Sequence, residues 1–285
     1  MLVSLPEIGI VKAQSTIYIH SDGSVEGTEL IRQDGNVYTM MAGFFNAPII
    51  VQKSDIILDG NGAISTLPPG GETNIRLTQV NNVIIKNMVI RDGYIGISIE
   101  NCNRVILSGN NITIIDDTNF FYIAAAIRLE NGGFHTITNN TITNSRVGIW
   151  ITESSNYNRI YHNNFVNNKY HVFGNKEAIS TAYWDNGYLS GGNFWNNYYG
   201  IDLYRGIYQN ETGSDNIGDT PYVYIDYADE NETLFIDNYP LMKPVPAIPE
   251  FPSWTPLLIM LIAVMVIGVI YKRRLRPQTN PKNSN

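Results

Sequence analysis

An internal repeat constrains the fold more than any other feature of the chain. Asn81–Glu100 (NNVIIKNMVIRDGYIGISIE) and Asn103–Ile112 (NRVILSGNNI) register at an offset of 22 residues. His135–Thr152 (HTITNNTITNSRVGIWIT) joins the first segment at an offset of 52, which is 30 beyond the second, and Asn158–Phe173 follows 23 later. Each period is an apolar triplet, a polar Asn or Gly corner, a second triplet, another corner, and a phrase such as Ile95–Ile99 (IGISI) or Val147–Ile151 (VGIWI). Three short strands per period, with no helical periodicity, describe one turn of a parallel β-solenoid. Alternate Ile and Val point inward and stack on their equivalents about 4.8 Å away in the next turn. Corners that require φ > 0 go to Gly and Asn, which tolerate it best. Stacked Asn side chains bond from turn to turn, so Asn110-Asn111, Asn139-Asn140 and Asn163-Asn164 read as structural. Ser54–Ile64 (SDIILDGNGAI) reads as an earlier turn, which gives about five between residues 50 and 176.

The offset of 30 marks an insertion of about eight residues, Ile115–Tyr122. Solenoids accept insertions at corners, and such loops often form a binding face. Here Asp116 and Asp117 stand beside Phe120, Phe121 and Tyr122, a set suited to a sugar or a cation. Glu100 and Glu130 occupy equivalent positions in successive turns. Those two and Asp116-Asp117 are the pairs a glycoside hydrolase or polysaccharide lyase would draw on, since glycoside hydrolysis uses carboxylates about 5 to 9.5 Å apart.

Charge divides the chain. Of 19 basic residues, Lys272, Arg273, Arg274, Arg276 and Lys282 lie beyond Glu250, whereas none of the 26 acidic residues does. Residues 1–250 therefore hold 14 basic and 26 acidic side chains, a net of −12. Such a body is a poor partner for nucleic acid, whose phosphates call for clustered Lys and Arg. Phe251–Tyr271 is a run of 21 uncharged residues with Trp254 and Tyr271 near its ends. About 20 apolar helical residues span a bilayer core, and the basic cluster that follows places the C-terminus in the cytoplasm. Pro244, Pro246, Pro249, Pro252 and Pro256 stiffen the approach. At the other end, residues 1–13 are interrupted by Pro6, Glu7 and Lys12 and read as a truncated signal segment. A lone Cys102 excludes an intrachain disulfide and a Cys-based zinc site.

After Trp184 the pattern becomes aromatic and irregular: GGNFWNNYYGIDLYRG (Gly191–Gly206), then Gly218-Asp219-Thr220-Pro221-Tyr222 and Tyr239-Pro240-Leu241-Met242. A solenoid end needs a cover over its open edges and core, so this is the C-terminal cap. The organisation expected is a signal remnant (1–13), an N-terminal cap (14–50), β-helix turns (51–176), the C-terminal cap (177–244), a proline stalk (245–256), a transmembrane core (257–271) and a basic cytoplasmic tail (272–285). The fold class is all-β, a right-handed parallel β-helix with terminal caps, plus one C-terminal transmembrane helix.

The Asp59-Gly60-Asn61-Gly62 opening, the Asn-rich turns and the cap motifs together resemble the NosD-like parallel β-helix proteins, with surface-anchored archaeal members the nearest in pattern. The resemblance covers roughly Gln14–Pro244. It implies a carbohydrate-binding or sugar-hydrolase type of repeat, and the founding member is an accessory factor for copper maturation. Pro249-Glu250-Phe251-Pro252, the apolar span and the basic cluster resemble the PEF-type sorting signal of archaeal surface proteins, which implies a sorting protease as a partner. Gly-His-Gly and Arg-Ile-Lys, characteristic of polygalacturonases, are absent, as is the Asp-Pro-His-Asp of alginate epimerases. Family members often carry a run of acids before Gly-Asp-Thr-Pro-Tyr that resembles a calcium loop, of which Asp215 and Asp219 remain here.

Copper suits thiolate, thioether and imidazole ligands, but Cys102 is alone and His135, His162 and His171 fall in different turns and columns. Four sequons begin at Asn111, Asn139, Asn210 and Asn231. Phe120, Tyr122, Trp150, Trp184, Trp195 and Tyr198 are the candidate stacking surfaces for sugar. The reading is a membrane-anchored, extracytoplasmic β-helix that binds or organises envelope glycan and requires no cofactor. A polysaccharide lyase or hydrolase, a copper-maturation accessory and a structural surface stalk are the alternatives.

Overall fold

A computed structural model of the chain describes residues 16–41, 43–68, 71–115, 123–152, 154–225 and 233–246. The chain divides after Ile248, and all the described residues belong to the first unit. They build a right-handed parallel β-solenoid of about 6 turns, with three sheets of nine, seven and seven strands along its faces.

A central turn runs Ile95–Asn103 on the first sheet, Ile106–Ser108 on the second and Asn111–Thr113 on the third. Ala125–Gly133, Thr136–Thr138 and Thr141–Thr143 stack on it in parallel register. The repeat offsets are those of the pairing: Ile85 meets Leu107, Leu107 meets Ile137, and Ile137 meets Ile160. The turn read at Ser54–Ile64 joins the same column, with Leu58 against Ile85. Inside, Ile75, Ile97, Ile127 and Ile149 form one fully buried column on the first sheet, and Ile112, Ile142 and Phe165 form another on the third. Burying each such side chain contributes roughly 2 kcal/mol, so a strand with only two or three inward residues is held by its neighbours in the stack.

Asn supplies many of the left-handed corners, among them Asn82, Asn101, Asn131, Asn139 and Asn167. The strand ending at Thr113 belongs to the third sheet and the next one, starting at Ala125, to the first; of the insertion Ile115–Tyr122 between them in sequence, only Ile115 is among the described residues.

The solenoid begins earlier than the boundary expected at residue 51. Ile17–Ile19, Val37–Met40 and Phe44–Phe45 pair in parallel with Ile49–Val51, Ile57–Asp59 and Ile64–Leu67, so a whole turn lies within the segment read as a cap. Two antiparallel additions, Val25–Glu26 on Ile17–Ile19 and Ile31–Asp34 on Val37–Met40, interrupt its spacing and hide the period.

At the other end, Asn175 caps a short helix, Lys176–Ser180, by accepting the Ala178 N–H at 2.9 Å, and the helix buries Ala178 and Ile179. Aromatic rings cover the last turn. Trp195 stacks on Phe165 at 4.3 Å and on Tyr222 at 4.6 Å, and Trp184 stacks on Phe235 at 3.8 Å. Among the described residues no helix is long and apolar enough to cross a membrane. The signal segment 1–13, Asp116, Asp117, Phe120, Tyr122, Asn231, the Pro249-Glu250-Phe251 motif, the apolar span and the basic tail lie outside the described residues.

Candidate functional site

The C-terminal cap is fastened to the turns by a buried amide ladder. Asn110 donates its backbone N–H and Nδ2 to Asn140 Oδ1 at 3.0 and 2.9 Å. Asn140 does the same to Asn163 Oδ1, and Asn163 to Asn193 Oδ1, all at 3.0 Å. Each Nδ2 also donates to a backbone carbonyl of the turn before, at Ile85, Leu107, Ile137 and Ile160. A side-chain amide has the donors and the acceptor for this repeating pattern, so each ladder amide finds partners for both its Nδ2 and its Oδ1.

Every ladder must end, and this one ends at Asp237. Its Oδ2 accepts the Asn193 N–H at 2.7 Å and Trp195 Nε1–H at 2.9 Å, and its Oδ1 accepts the Tyr239 N–H at 3.1 Å. Complete burial nevertheless pushes its carboxyl up to about 7. Gly192 of the Gly191–Gly206 motif is required there, because a Cβ on it would collide with the Asp237 carboxylate.

Beyond this latch the two cap motifs fold against each other and leave an open cleft of about 600 Å³. Tyr170, Tyr198, Tyr199, Tyr222 and Tyr224 line it together with Lys169, whose Nζ lies 5.4 Å from the Tyr170 ring centre. Tyr198 donates its hydroxyl to the Thr220 carbonyl at 2.6 Å. Gly200 and Gly218 make room for that ring, since a Cβ on either would collide with the Tyr198 hydroxyl. Tyr222 donates to Asn197 Oδ1 at 3.1 Å and Tyr224 to the Val172 carbonyl at 3.0 Å. Burial pushes the Tyr222 hydroxyl up, so it stays a donor. Tyr199 is 90% exposed at the mouth of the cleft. Aromatic faces held rigid beside hydroxyl and amide groups suit a ligand with apolar C–H faces and many hydroxyls.

Of the expected stacking residues, Tyr198 lines this cleft, but Trp184 and Trp195 do not offer surfaces at all. Both are buried in the aromatic cover over the last turn, because closing the solenoid end takes the largest apolar rings available. Trp150 is half-buried on the first sheet with the Arg128 guanidinium 5.3 Å from its ring. Glu100 and Glu130 are in register, as their spacing implied. Arg128 forms an ion pair with Glu130 and lies 4.0 Å from Glu100, which Arg76 also approaches at 3.9 Å. The two carboxylates are thus members of an Arg–Glu cluster, and nothing in their contacts separates an acid from a base.

Asp215 and Asp219 anchor loops. Asp219 accepts the Leu203 and Tyr204 N–H groups at 2.9 and 3.0 Å, and Asp215 accepts the Ile217 N–H at 3.0 Å and Gln209 Nε2 at 3.2 Å. Asn111 and Asn210 are exposed, and Asn139 is half-buried at a left-handed corner. The Tyr199, Tyr222 and Tyr224 contribution was not evident from sequence; the signal was there in the motifs Asn196–Gly200 and Gly218–Tyr222, whose convergence only the fold reveals.

Fold and cleft define a class, the capped right-handed parallel β-helix with its open pocket in the C-terminal cap. Residues 10–200, about two thirds of the chain, match the family described as periplasmic copper-binding protein (NosD). The chain belongs to the NosD family. No curated protein and no solved structure matches it.

The described residues do not fit copper. Cys102 is buried with its Sγ against the Glu100 carbonyl at 3.2 Å, and burial raises its thiol above the ordinary value, away from the thiolate a metal needs. His135 accepts the Val105 N–H on Nδ1 inside the core, His162 Nε2 bonds the Ser190 carbonyl at 2.6 Å, and His171 Nε2 bonds Asn197 Oδ1 at 3.1 Å. Burial holds both His135 and His171 down at about 4. His20 is bonded to Glu26 and Gln52 at the opposite end. Among the described residues no three His, Cys, Asp or Glu side chains gather as a metal would require.

Proposed function

We propose that the protein is a membrane-anchored, extracytoplasmic β-helix that binds envelope glycan through the tyrosine cleft of its C-terminal cap. The observation that carries this reading is the cleft of about 600 Å³, lined by five tyrosines and built from the two cap motifs. The family description places its members in the periplasm, which agrees with an exported body, and the uncharged run Phe251–Tyr271 followed by basic residues supplies the anchor. Aromatic stacking against sugar C–H faces gives affinity without fixing one sugar, and the hydroxyl rim orients the ring.

The test is a glycan array probed with the full chain in mild detergent. Saturable binding without released product, weakened at least tenfold by Tyr199→Ala, is the expected result. Product release that disappears in Glu100→Gln or Glu130→Gln would replace binding with hydrolysis or elimination on the first sheet. Absence of any glycan binding would leave a structural stalk.

A further inference from the structure

On a different part of the surface the solenoid carries an expensive corner. Asp55, Asn82, Arg104, Phe134 and Tyr157 occupy one column between the first and second sheets, all with φ between 55° and 61°. Asp55, Asn82, Arg104 and Phe134 each donate their backbone N–H to a carbonyl of the next turn, and Tyr157 donates to Thr181 Oγ1. The first three form a polar ladder, with Asn82 Nδ2 donating to Asp55 Oδ1 and Arg104 Nε to Asn82 Oδ1, both at 2.7 Å. Asp and Asn are the side chains that best tolerate this left-handed backbone, whereas a bulky ring there costs about 1 kcal/mol or more. Phe134 and Tyr157 nevertheless follow, their rings stacked at 5.5 Å. Core burial does not explain them, since they are 60% and 52% exposed.

Next to this pair lies a cavity of about 360 Å³ lined by Phe134, Tyr157, Arg159 and Tyr183, the last 59% exposed. Arg159 Nη2 donates to Asn186 Oδ1 at 3.0 Å, which steadies the guanidinium beside the rings. Arg104, in the turn before Phe134, is the cation of the column itself, held by Asn82 outside the cavity lining. Residues 1–250 hold only 14 basic side chains against 26 acidic ones, so an arginine lining a slot with three aromatics stands out in an acidic body. Exposed rings on a left-handed corner that Asn would fill without strain are the outlier from which a function is inferred.

We infer that this slot is a second ligand site, for acidic sugar: a uronate whose C–H face packs on the rings and whose carboxylate pairs with Arg159. A guanidinium matches a carboxylate with two parallel N–H donors. One charge per sugar ring also suits an acidic body that would repel a polyphosphate. The inference rests on the glycan reading only for the chemical class of its ligand, because the slot shares no lining residue with the cap cleft.

Calorimetric titration of the full chain with trigalacturonate, its methyl ester and neutral cellotriose tests it. Trigalacturonate is expected to bind at least tenfold more tightly than the ester or cellotriose, and Arg159→Gln is expected to remove that preference. Tyr157→Asn should weaken binding at least tenfold without lowering Tm, since Asn occupies the left-handed corner readily. Tyr199→Ala in the cap cleft should leave the preference for trigalacturonate over its ester unchanged. Equal binding of acid and ester, no binding of trigalacturonate, or a Tyr157→Asn protein that unfolds earlier but binds normally would each overturn the inference. Trigalacturonate binding lost in Tyr199→Ala and kept in Tyr157→Asn would also overturn it while sustaining the cap cleft. Neutral glycans held by that cleft while trigalacturonate fails would sink the slot alone.

Discussion

The middle turns and the C-terminal cap are held together in opposite ways. In the turns one solution is repeated: an inward Ile or Val, a left-handed Asn corner, and an Asn amide bonded to the next. The cap uses each contact once. Asp237 closes the ladder that runs from Asn110 by accepting the N–H of Asn193, 44 residues before it, and stacked Trp, Phe and Tyr rings replace the aliphatic columns. The irregular closure is where the larger of the two described cavities opens. The difference shows how a solenoid can keep one repeated solution in its inward columns and leave variation to its corners, insertions and ends.

Breaking the repeated element should have the largest effect. Asn140→Ala removes an acceptor shared by Asn110 N–H and Nδ2 and takes the Nδ2 donor away from Asn163 Oδ1 and from the Leu107 and Thr138 carbonyls. A loss of about 4 kcal/mol is expected, from several unsatisfied groups at about 1 to 3 kcal/mol each, and denaturant unfolding should show the whole transition shifted. Asp237→Ala should come next. It strands three N–H donors, for about 3 kcal/mol, but because turns contact only their neighbours the cap should loosen first, seen as early loss of near-ultraviolet Trp signal ahead of the far-ultraviolet β signal.

A pH series separates the two regions further. Asp237 sits at about 7 when folded against an ordinary value of 3.8, so the stability it contributes is full below 3.8 and is lost as pH rises through 7. His135 and His171 have the opposite sign: held at about 4 against 6.5, they contribute above 6.5 and lose that contribution as pH falls through 4. Between pH 4 and 6.5 the two histidines outweigh the one carboxyl, and stability should rise with pH. With Asp237→Asn the rise should steepen, and the Tm difference from the parent should stop changing above pH 7. A parallel pair of curves would place the titrating group elsewhere. The smallest expected effect on stability is that of Tyr199→Ala, below about 0.5 kcal/mol because the ring is exposed; thermal unfolding of this variant should superpose on the parent.

What could be read from sequence follows the same division. Leu107, Ile137 and Ile160 align by inspection because each turn places an aliphatic residue at the same station, and the in-register pair Glu100 and Glu130 follows from the same count. The first turn escaped because the strands at Val25–Glu26 and Ile31–Asp34 are inserted between its stations. In the cap, Trp184, Trp195 and Tyr198 all looked like sugar platforms. Composition does not say which ring is needed to seal the last turn, and burial assigns the two tryptophans to that task and leaves the tyrosine in the cleft. Asp237 read only as part of the irregular cap sequence Asp237–Leu241, since its partners at Asn193, Trp195 and Tyr239 become neighbours only when the cap closes. Phe134 and Tyr157 were hidden by their own corner, where the repeat pattern calls for Asn.

The most direct test of glycan recognition by the cap is a structure of the full chain with a glycan selected on the array. A sugar ring packed against Tyr199 in the cleft between the Asn196–Gly200 and Gly218–Tyr222 motifs is expected, with its hydroxyls among Lys169, Asn197 and Thr220. A glycan bound instead across Glu100 and Glu130 on the first sheet, with the cap cleft empty, would contradict recognition by the cap.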